Sequence, residues 1–225
     1  MKKAVVLWTG GKDSALAFQA SIGKYSIERL ITFVPEAEAK FMAHSLQVIE
    51  AQAKSIGIKH ECMVVKQPYD ISYINCITKI KQSGIDTLIT GDISTIDDYP
   101  NWIRECAQGI MEVHTPLWKL DRKTLIKTII PNNYKIICSL SYKKYSSNSI
   151  TGCVFDTTLI DKLIQMESDG EIDAAGENGE YHTMVLSAPF FKYEIQVDKS
   201  NIIERKEFTY LSIEQTSLVK NKYYQ

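Results

Sequence analysis

The sequence has no apolar stretch near the roughly 20 residues that cross a bilayer, no block of like charge, no internal repeat and no low-complexity linker. The first absence argues against a membrane span. Met1-Lys2-Lys3 runs straight into a short strand-like segment, without the longer apolar region and small-residue cleavage site of a signal peptide, so a cytoplasmic location is expected. Charge of one sign is also lacking: 26 basic against 27 acidic residues give a net charge of -1, which offers no general attraction to nucleic acid or an acidic membrane. The five cysteines, Cys62, Cys76, Cys106, Cys138 and Cys153, contain no Cys-x-x-Cys pair. A zinc site or redox dithiol is therefore not expected, and the thiols read as buried and reduced. What is present is ordinary for a globular protein, with 44% hydrophobic and 24% charged residues over 225 positions.

The first half alternates short apolar runs with helical patterns. Ala4 to Trp8, Leu30 to Val34, Cys62 to Val65 and Thr87 to Thr90 read as strands. Helix patterns start at Asp13, run through Leu46, Ile49, Ala53 and Ile56 to Gly57, and start again near Asp70 with Ile74, Ile77 and Ile80 inward. This alternation predicts an α/β fold, a doubly wound parallel sheet of Rossmann-like type, with ligands at the carboxyl ends of the strands. Thr9 to Ser14, Pro35-Glu36 and Gly91-Asp92 fall at those ends.

Beyond a boundary near 120 the pattern changes. Asp121 reads as the cap of a helix with Leu125, Ile126 and Ile129 inward, and a second helix covers Thr157 to Met166. Strand-like runs at Thr183 to Leu186, Tyr193 to Val197 and from Ile202 predict an antiparallel sheet with one wet face. The expected organisation is an ATP-binding domain over 1–120 and a smaller α+β substrate-binding domain over 121–225.

A strand, then Thr9-Gly10-Gly11-Lys12-Asp13-Ser14, then a helix builds an anion site. The glycines let N–H groups turn toward a ligand, and the helix start adds further donors and a positive dipole end. Thr9 and Ser14 bring hydroxyl donors, Lys12 a positive charge, and Asp13 a carboxylate for magnesium. The loop is not a Walker A motif, since Asp13 follows the lysine and Val6 stands where its first glycine would be. The bland alternative is a Gly-Gly turn with Asp13 capping a helix. The segment resembles the fingerprint Ser-Gly-Gly-x-Asp-Ser of the PP-loop ATP pyrophosphatases, with Thr9 keeping the hydroxyl of the first serine. The resemblance implies ATP and Mg2+ as cofactors, a grip on the β,γ-phosphates and cleavage between the α- and β-phosphates.

A second constellation is Gly176-Glu177-Asn178-Gly179-Glu180-Tyr181-His182-Thr183. It reads either as a polar substrate pocket or as a Glu-rich surface turn around Asn178-Gly179. Together with Lys40-Phe41-Met42-Ala43-His44, Gly91-Asp92-Ile93 and Thr115-Pro116-Leu117-Trp118, in this order, it is similar to diphthine–ammonia ligase and its relatives over roughly residues 3 to 192. One departure is Ala174-Ala175, where many relatives carry Pro-Cys, and the chain lacks the long C-terminal extension of some eukaryotic ones.

The resemblance implies a carboxylate activated as an acyl-adenylate and amidated by ammonia, the acceptor being a modified histidine on a translation elongation factor. Lys12, Asp13, Asp92, Glu177, Glu180 and His182 become the candidate catalytic residues, with Asp13 and Asp92 as metal ligands. Trp8, Thr9, Gly10, Gly11, Lys12, Asp13, Ser14, His44 and Gly91 are the candidate nucleotide contacts. Gly176, Asn178, Gly179, Tyr181, Thr183 and Trp118 are the candidate substrate contacts, Tyr181 and Trp118 offering aromatic faces to a trimethylammonium group. His44 reads equally well as a partly buried cap and Trp118 as a core residue, while His60 and His114 read as structural. Tyr142-Lys143-Lys144-Tyr145, followed by Ser146, Ser147 and Asn148, reads as a solvated loop. No glutaminase domain fits in the length, so free ammonium is the expected nucleophile, and a homodimer stays open. Two other readings share the fold: a PP-loop enzyme acting on tRNA or another carboxylate, and a non-catalytic nucleotide-binding module.

Overall fold

The structure is a computed structural model that describes residues 1–36, 41–94, 101–145 and 149–224. Lys40 of the 40 to 44 stretch, and Ser146, Ser147 and Asn148, lie outside the described residues. The chain divides into two compact units. One comprises Met1–Thr9, Asp13–Phe41 and Ile58–Lys119; the other comprises Gly10–Lys12, Met42–Gly57 and Leu120–Gln225.

The first unit holds a parallel sheet of β1 (Lys3–Leu7), β2 (Ser26–Pro35), β3 (Lys59–Val65), β4 (Thr87–Ile89) and β5 (Glu112–His114), in the order β3-β2-β1-β4-β5. The reversal of strand order beside β1 is the topological switch of a doubly wound sheet. The helix α1 (Lys12–Ser21) starts at the carboxyl end of β1. Val5, Ile31 and Leu88 from three neighbouring strands pack against Ile77 and Ile80 of α3 (Tyr69–Gln82) and Cys106 and Ala107 of α4 (Trp102–Ala107). Ile74, expected on that inward face, is 39% exposed, whereas Cys76, next to Ile77, is buried.

The second unit holds an antiparallel sheet in the order β7-β6-β9-β8, from β6 (Lys135–Tyr142), β7 (Tyr181–Ser187), β8 (Tyr193–Glu204) and β9 (Phe208–Lys220). The helices α5 (Arg122–Lys127) and α6 (Thr157–Ser168) are capped by Asp121 and Asp156, whose carboxylates accept from Thr124 N and Leu159 N at 2.8 Å each. Tyr142 ends β6 and so is not part of a loop; among the described residues that follow, 143–145 form a turn. Of the cysteines, Cys76, Cys106 and Cys138 are buried as expected, whereas Cys62 and Cys153 are exposed.

The helix α2 (Leu46–Ile56), which links β2 to β3 in sequence, belongs to the second unit. Its polar residues give the reason. Gln52 and Ser55 are fully buried, and Ser55 Oγ donates to Tyr193 O while accepting from Tyr193 N at 2.9 Å. Ser45 caps its start, and Gly57 ends it at φ 82°, donating its N–H to Ala53 O. A side chain at Gly57 would be held in the left-handed region. Gly57→Ala is expected to cost about 1 kcal/mol in urea unfolding, with an unchanged slope.

Candidate functional site

The loop residues Gly10 to Lys12 are fixed by one backbone and two side-chain groups elsewhere in the second unit. Gly10 O accepts from Val185 N at 2.8 Å and from Gln52 Nε2 at 2.9 Å, and the same Gln52 amide donates to Val185 O at 2.7 Å. Gly10 sits at φ +76°, and a Cβ there would lie 2.6 Å from Gln52 Oε1, so glycine is required by both conformation and space. Lys12 N donates to Thr183 Oγ1 at 3.0 Å, and its ammonium lies 5.7 Å from the centre of the Tyr181 ring. Lys12 is only 3% exposed.

In the first unit, Thr9 is exposed, Asp13 is half-buried and Ser14 is buried. A Cβ on Gly91 would stand 2.6 Å from the carbonyl carbon of Asp13 and 2.8 Å from Ser14 N, so the end of β4 lies directly against the first turn of α1. Asp92, one residue on, accepts a hydrogen bond from Thr90 Oγ1, and its own N–H donates back to that hydroxyl at 3.1 Å. The structure thus brings Gly91 to Asp13, as expected of residues at adjacent strand ends.

The second constellation is a turn running into β7. Gly176 and Gly179 adopt φ +74° and +80°, with Gly179 N donating to Gly176 O. The preceding element is α6, so Asn178-Gly179 does not form a hairpin. Gly176 must be glycine because a Cβ would lie 3.0 Å from the Tyr181 ring. Glu177 is half-buried and Asn178 exposed, its carbonyl accepting from Tyr145 OH at 3.1 Å. Glu180 is turned inward: Oε1 accepts from Asp173 N at 2.8 Å while Oε2 is buried without a hydrogen-bond partner. Burial raises its carboxyl above the ordinary range, opposed by its backbone, Asn178 and Arg122. Asp173, itself buried, pairs with Arg122 and accepts from Ala175 N at 2.7 Å. His182 packs edge-on against His44 with ring centres 5.3 Å apart. Burial, and then the Lys12 charge, lower its pKa to about 4, so it is a neutral imidazole at neutral pH.

Several expected contacts have other duties. Trp8 is wholly buried edge-on against Phe18, its N–H donating to Ile31 O and its carbonyl accepting from Thr32 Oγ1, so the indole belongs to the core. Tyr181 is 4% exposed with its hydroxyl donating to Ala174 O at 2.6 Å; its ring packs on Phe155 and offers no open aromatic face. Thr183 holds the Lys12 backbone, and Trp118 carries the Arg104 guanidinium 5.0 Å from its ring centre. His60 meets Thr32 Oγ1 at 2.8 Å, and His114 stacks against Tyr25. Gln52 and Arg104 were the residues the sequence reading missed. A glutamine at i+3 from Ile49, inside an apolar helical stripe, is the signal that marks the first; Arg104 carries none.

The donor set fits a polyphosphate with its magnesium. A helix N-terminus, a lysine and two hydroxyls match an anion. Among the described residues no group of three or more His, Cys, Asp or Glu could hold a metal. Magnesium at a nucleotide usually takes only one or two carboxylates and completes its shell with phosphate and water. Strand, loop and helix at the switch of a parallel sheet define a PP-loop type of nucleotide-binding fold.

The comparisons give the family. The model of the diphthamide synthase N-terminal domain matches residues 1–110, and that of the diphthamide synthase C-terminal domain matches residues 121–219. The chain belongs to the diphthamide synthase family. It is also similar to the crystal structure of a predicted subunit of tRNA methyltransferase from Methanocaldococcus jannaschii, at 19% identity over 84% of this chain and 98% of that one, with a TM-score of 0.44. No curated protein matches.

Two outcomes follow from this geometry. Gly91→Ala places a methyl group into backbone that cannot rotate away, and a loss of about 2 kcal/mol or more is expected in urea unfolding. For His182, the folded pKa of about 4 lies below the unfolded value of 6.5, so the unfolded chain binds the extra proton between them. Its contribution is constant above about pH 6.5, and falls by roughly 3 kcal/mol at most on acidification toward pH 4. His182→Gln should flatten that part of the stability profile, and the imidazole resonances should titrate near pH 4.

Proposed function

We propose that this chain is an AMP-forming, diphthine–ammonia ligase-like enzyme. It adenylates a carboxylate with ATP, releasing pyrophosphate, and amidates the acyl-adenylate with ammonia. The observation that carries this reading is the pinned loop: Gly10 O is held by Gln52 and Val185, and Lys12 N by Thr183. A preorganised loop at a helix start stabilises developing negative charge without reorganising during the reaction. Family membership supports the use of ATP with Mg2+.

In this reading residues 1–120 bind ATP and residues 121–225 the acceptor. Lys12 and the loop N–H groups hold the departing pyrophosphate, with Thr9, Ser14, Gly11, Gly91 and His44 around the nucleotide. Asp13 and Asp92 hold magnesium, which supplies charge neutralisation of the phosphates. His182, kept neutral at pH 7, takes a proton from the ammonia nitrogen once that nitrogen has bonded to the acyl carbon and become acidic, and Glu177 faces the cationic acceptor. Glu180 orders the turn through Asp173 and supplies a second carboxylate of raised pKa. Gly176, Asn178 and Gly179 shape the acceptor turn. The proposed acceptor is a modified histidine on a translation elongation factor, in the cytoplasm. Among the described residues no helix is long and apolar enough to cross a membrane.

Purified chain with ATP, Mg2+, ammonium and acceptor protein is expected to form AMP and pyrophosphate in step with amide. Asp13→Ala should lower both at least 100-fold. His182→Gln should lower amide formation about 10- to 100-fold while leaving acceptor-dependent pyrophosphate release largely intact. Formation of ADP and phosphate, or ATP binding without turnover on any carboxylate acceptor, would refute the reading.

A further inference from the structure

The second unit contains a cavity of about 450 Å³ that the phosphate loop and the Gly176–Thr183 segment do not line. Four hydroxyls form its polar wall. Ser141, Thr151 and Thr209 are 4–7% exposed, and Ser149 stands at the open side. Ser141 Oγ lies 3.1 Å from Ser149 Oγ, 2.8 Å from Thr151 Oγ1 and 3.2 Å from Thr209 Oγ1; Thr209 Oγ1 lies 2.6 Å from Ser149 Oγ and 2.7 Å from Thr151 Oγ1.

Proton supply decides what this cluster can bind. Thr151 Oγ1 donates to Thr209 O at 3.1 Å, which leaves three hydroxyl protons for the five oxygen–oxygen approaches. At least two approaches therefore set lone pair against lone pair. A ligand that brings N–H protons relieves them. An anion would draw protons out of a cluster already short of them.

The lining carries one charge of each sign, Lys143 and Glu204, and shape adds to the hydroxyl argument. Glu204 lines the cavity with its side chain 75% exposed, paired to Lys143 Nζ at 2.5 Å. Such an exposed pair contributes little and exchanges readily. Lys143, an alkylammonium on this carboxylate, is the chain's own instance of the chemistry. Tyr142 and Ile202 add apolar wall, and the volume is that of a small-molecule cleft, well beyond the needs of a bare ammonium ion.

We propose that this cavity binds a primary alkylammonium group, the hydroxyl cluster accepting its N–H protons, Glu204 balancing its charge, and Tyr142 and Ile202 covering its alkyl carbons. The assignment stands apart from the ATP-dependent reading, since binding needs neither nucleotide nor turnover. The site is nonetheless close to the family segment: Ser141 pairs with Tyr181 across the β6–β7 ladder, and Tyr142 N donates to Glu180 O at 3.0 Å.

Amide NMR on the full chain tests the site, with methylammonium, ammonium and tetramethylammonium chloride and sodium phosphate at matched ionic strength. Methylammonium should shift the Ser141, Thr151 and Thr209 amides saturably, with Thr209→Val weakening binding at least tenfold and Glu204→Gln several-fold. Ammonium binding more weakly than methylammonium assigns the site to alkylamines; equal or tighter binding assigns the same N–H chemistry to the free ion. If Thr209→Val fails to fold, the exposed Glu204→Gln carries the comparison. The proposal is overturned by stronger shifts from phosphate, by equal shifts from tetramethylammonium, which has no N–H, or by no saturable shift from either amine.

Discussion

One buried carboxamide holds the second unit's share of the phosphate loop. Gln52 points both its N–H groups at backbone carbonyls, Gly10 O and Val185 O, while Val185 N–H reaches the same Gly10 oxygen. A buried carbonyl left without a donor costs about 1–3 kcal/mol, so replacing Gln52 by an apolar residue would penalise Val185 O, while Gly10 O would keep the Val185 N–H and lose one of its two donors. The consequence is geometric as much as energetic. With Gly10 O and Lys12 N fixed, the peptide units between them have little freedom, and the loop keeps its shape without a ligand. Ser55, one turn further along α2, ties the same helix to Tyr193, so the support for the loop is itself rigidly placed.

Charge in the turn before β7 is arranged by burial. Arg122, Asp173 and Glu180 form a chain in which Asp173 faces a guanidinium, while Glu180 keeps one oxygen buried without a hydrogen-bond partner. His182 lies beyond them, neutralised by its own burial and by Lys12. His182 is therefore neutral at neutral pH and a weaker base than a free imidazole, burial being the larger cause and the Lys12 charge the smaller.

The parallel sheet was legible because its strands are continuous apolar runs separated by helical periods, and because Gly10-Gly11 and Gly91-Asp92 punctuate two strand ends. Less of the rest could be read. The strand β5 spans three residues, too few for a pattern, and β6 mixes Ser139 and Ser141 with isoleucines because both of its faces are buried. The long β8–β9 pair reads only in pieces, since its register shifts around Lys199 break the alternation. The candidate site residues were named by motif, but which of their side chains are held by core or backbone partners was not legible. Tyr181, Thr183 and Trp8 have side chains whose chemistry suits a substrate, yet each is held by a backbone or core partner from a distant part of the chain. Membership of α2 in the second unit depends on Gln52 and Ser55, which reach Val185 and Tyr193 more than 130 positions away.

The departure at Ala174-Ala175 can be judged from the same packing. Ala175 is 0% exposed, and its N–H donates to Asp173 Oδ1. Ala174 is equally buried and gives its carbonyl to Tyr181 OH. Both positions therefore serve the turn through their main chains. A cysteine in place of Ala175 would be a buried thiol, with a raised pKa and no access to a substrate, and a proline in place of Ala174 would leave that carbonyl free to accept. Alanine at both positions keeps these main-chain bonds, and neither side chain is open to solvent.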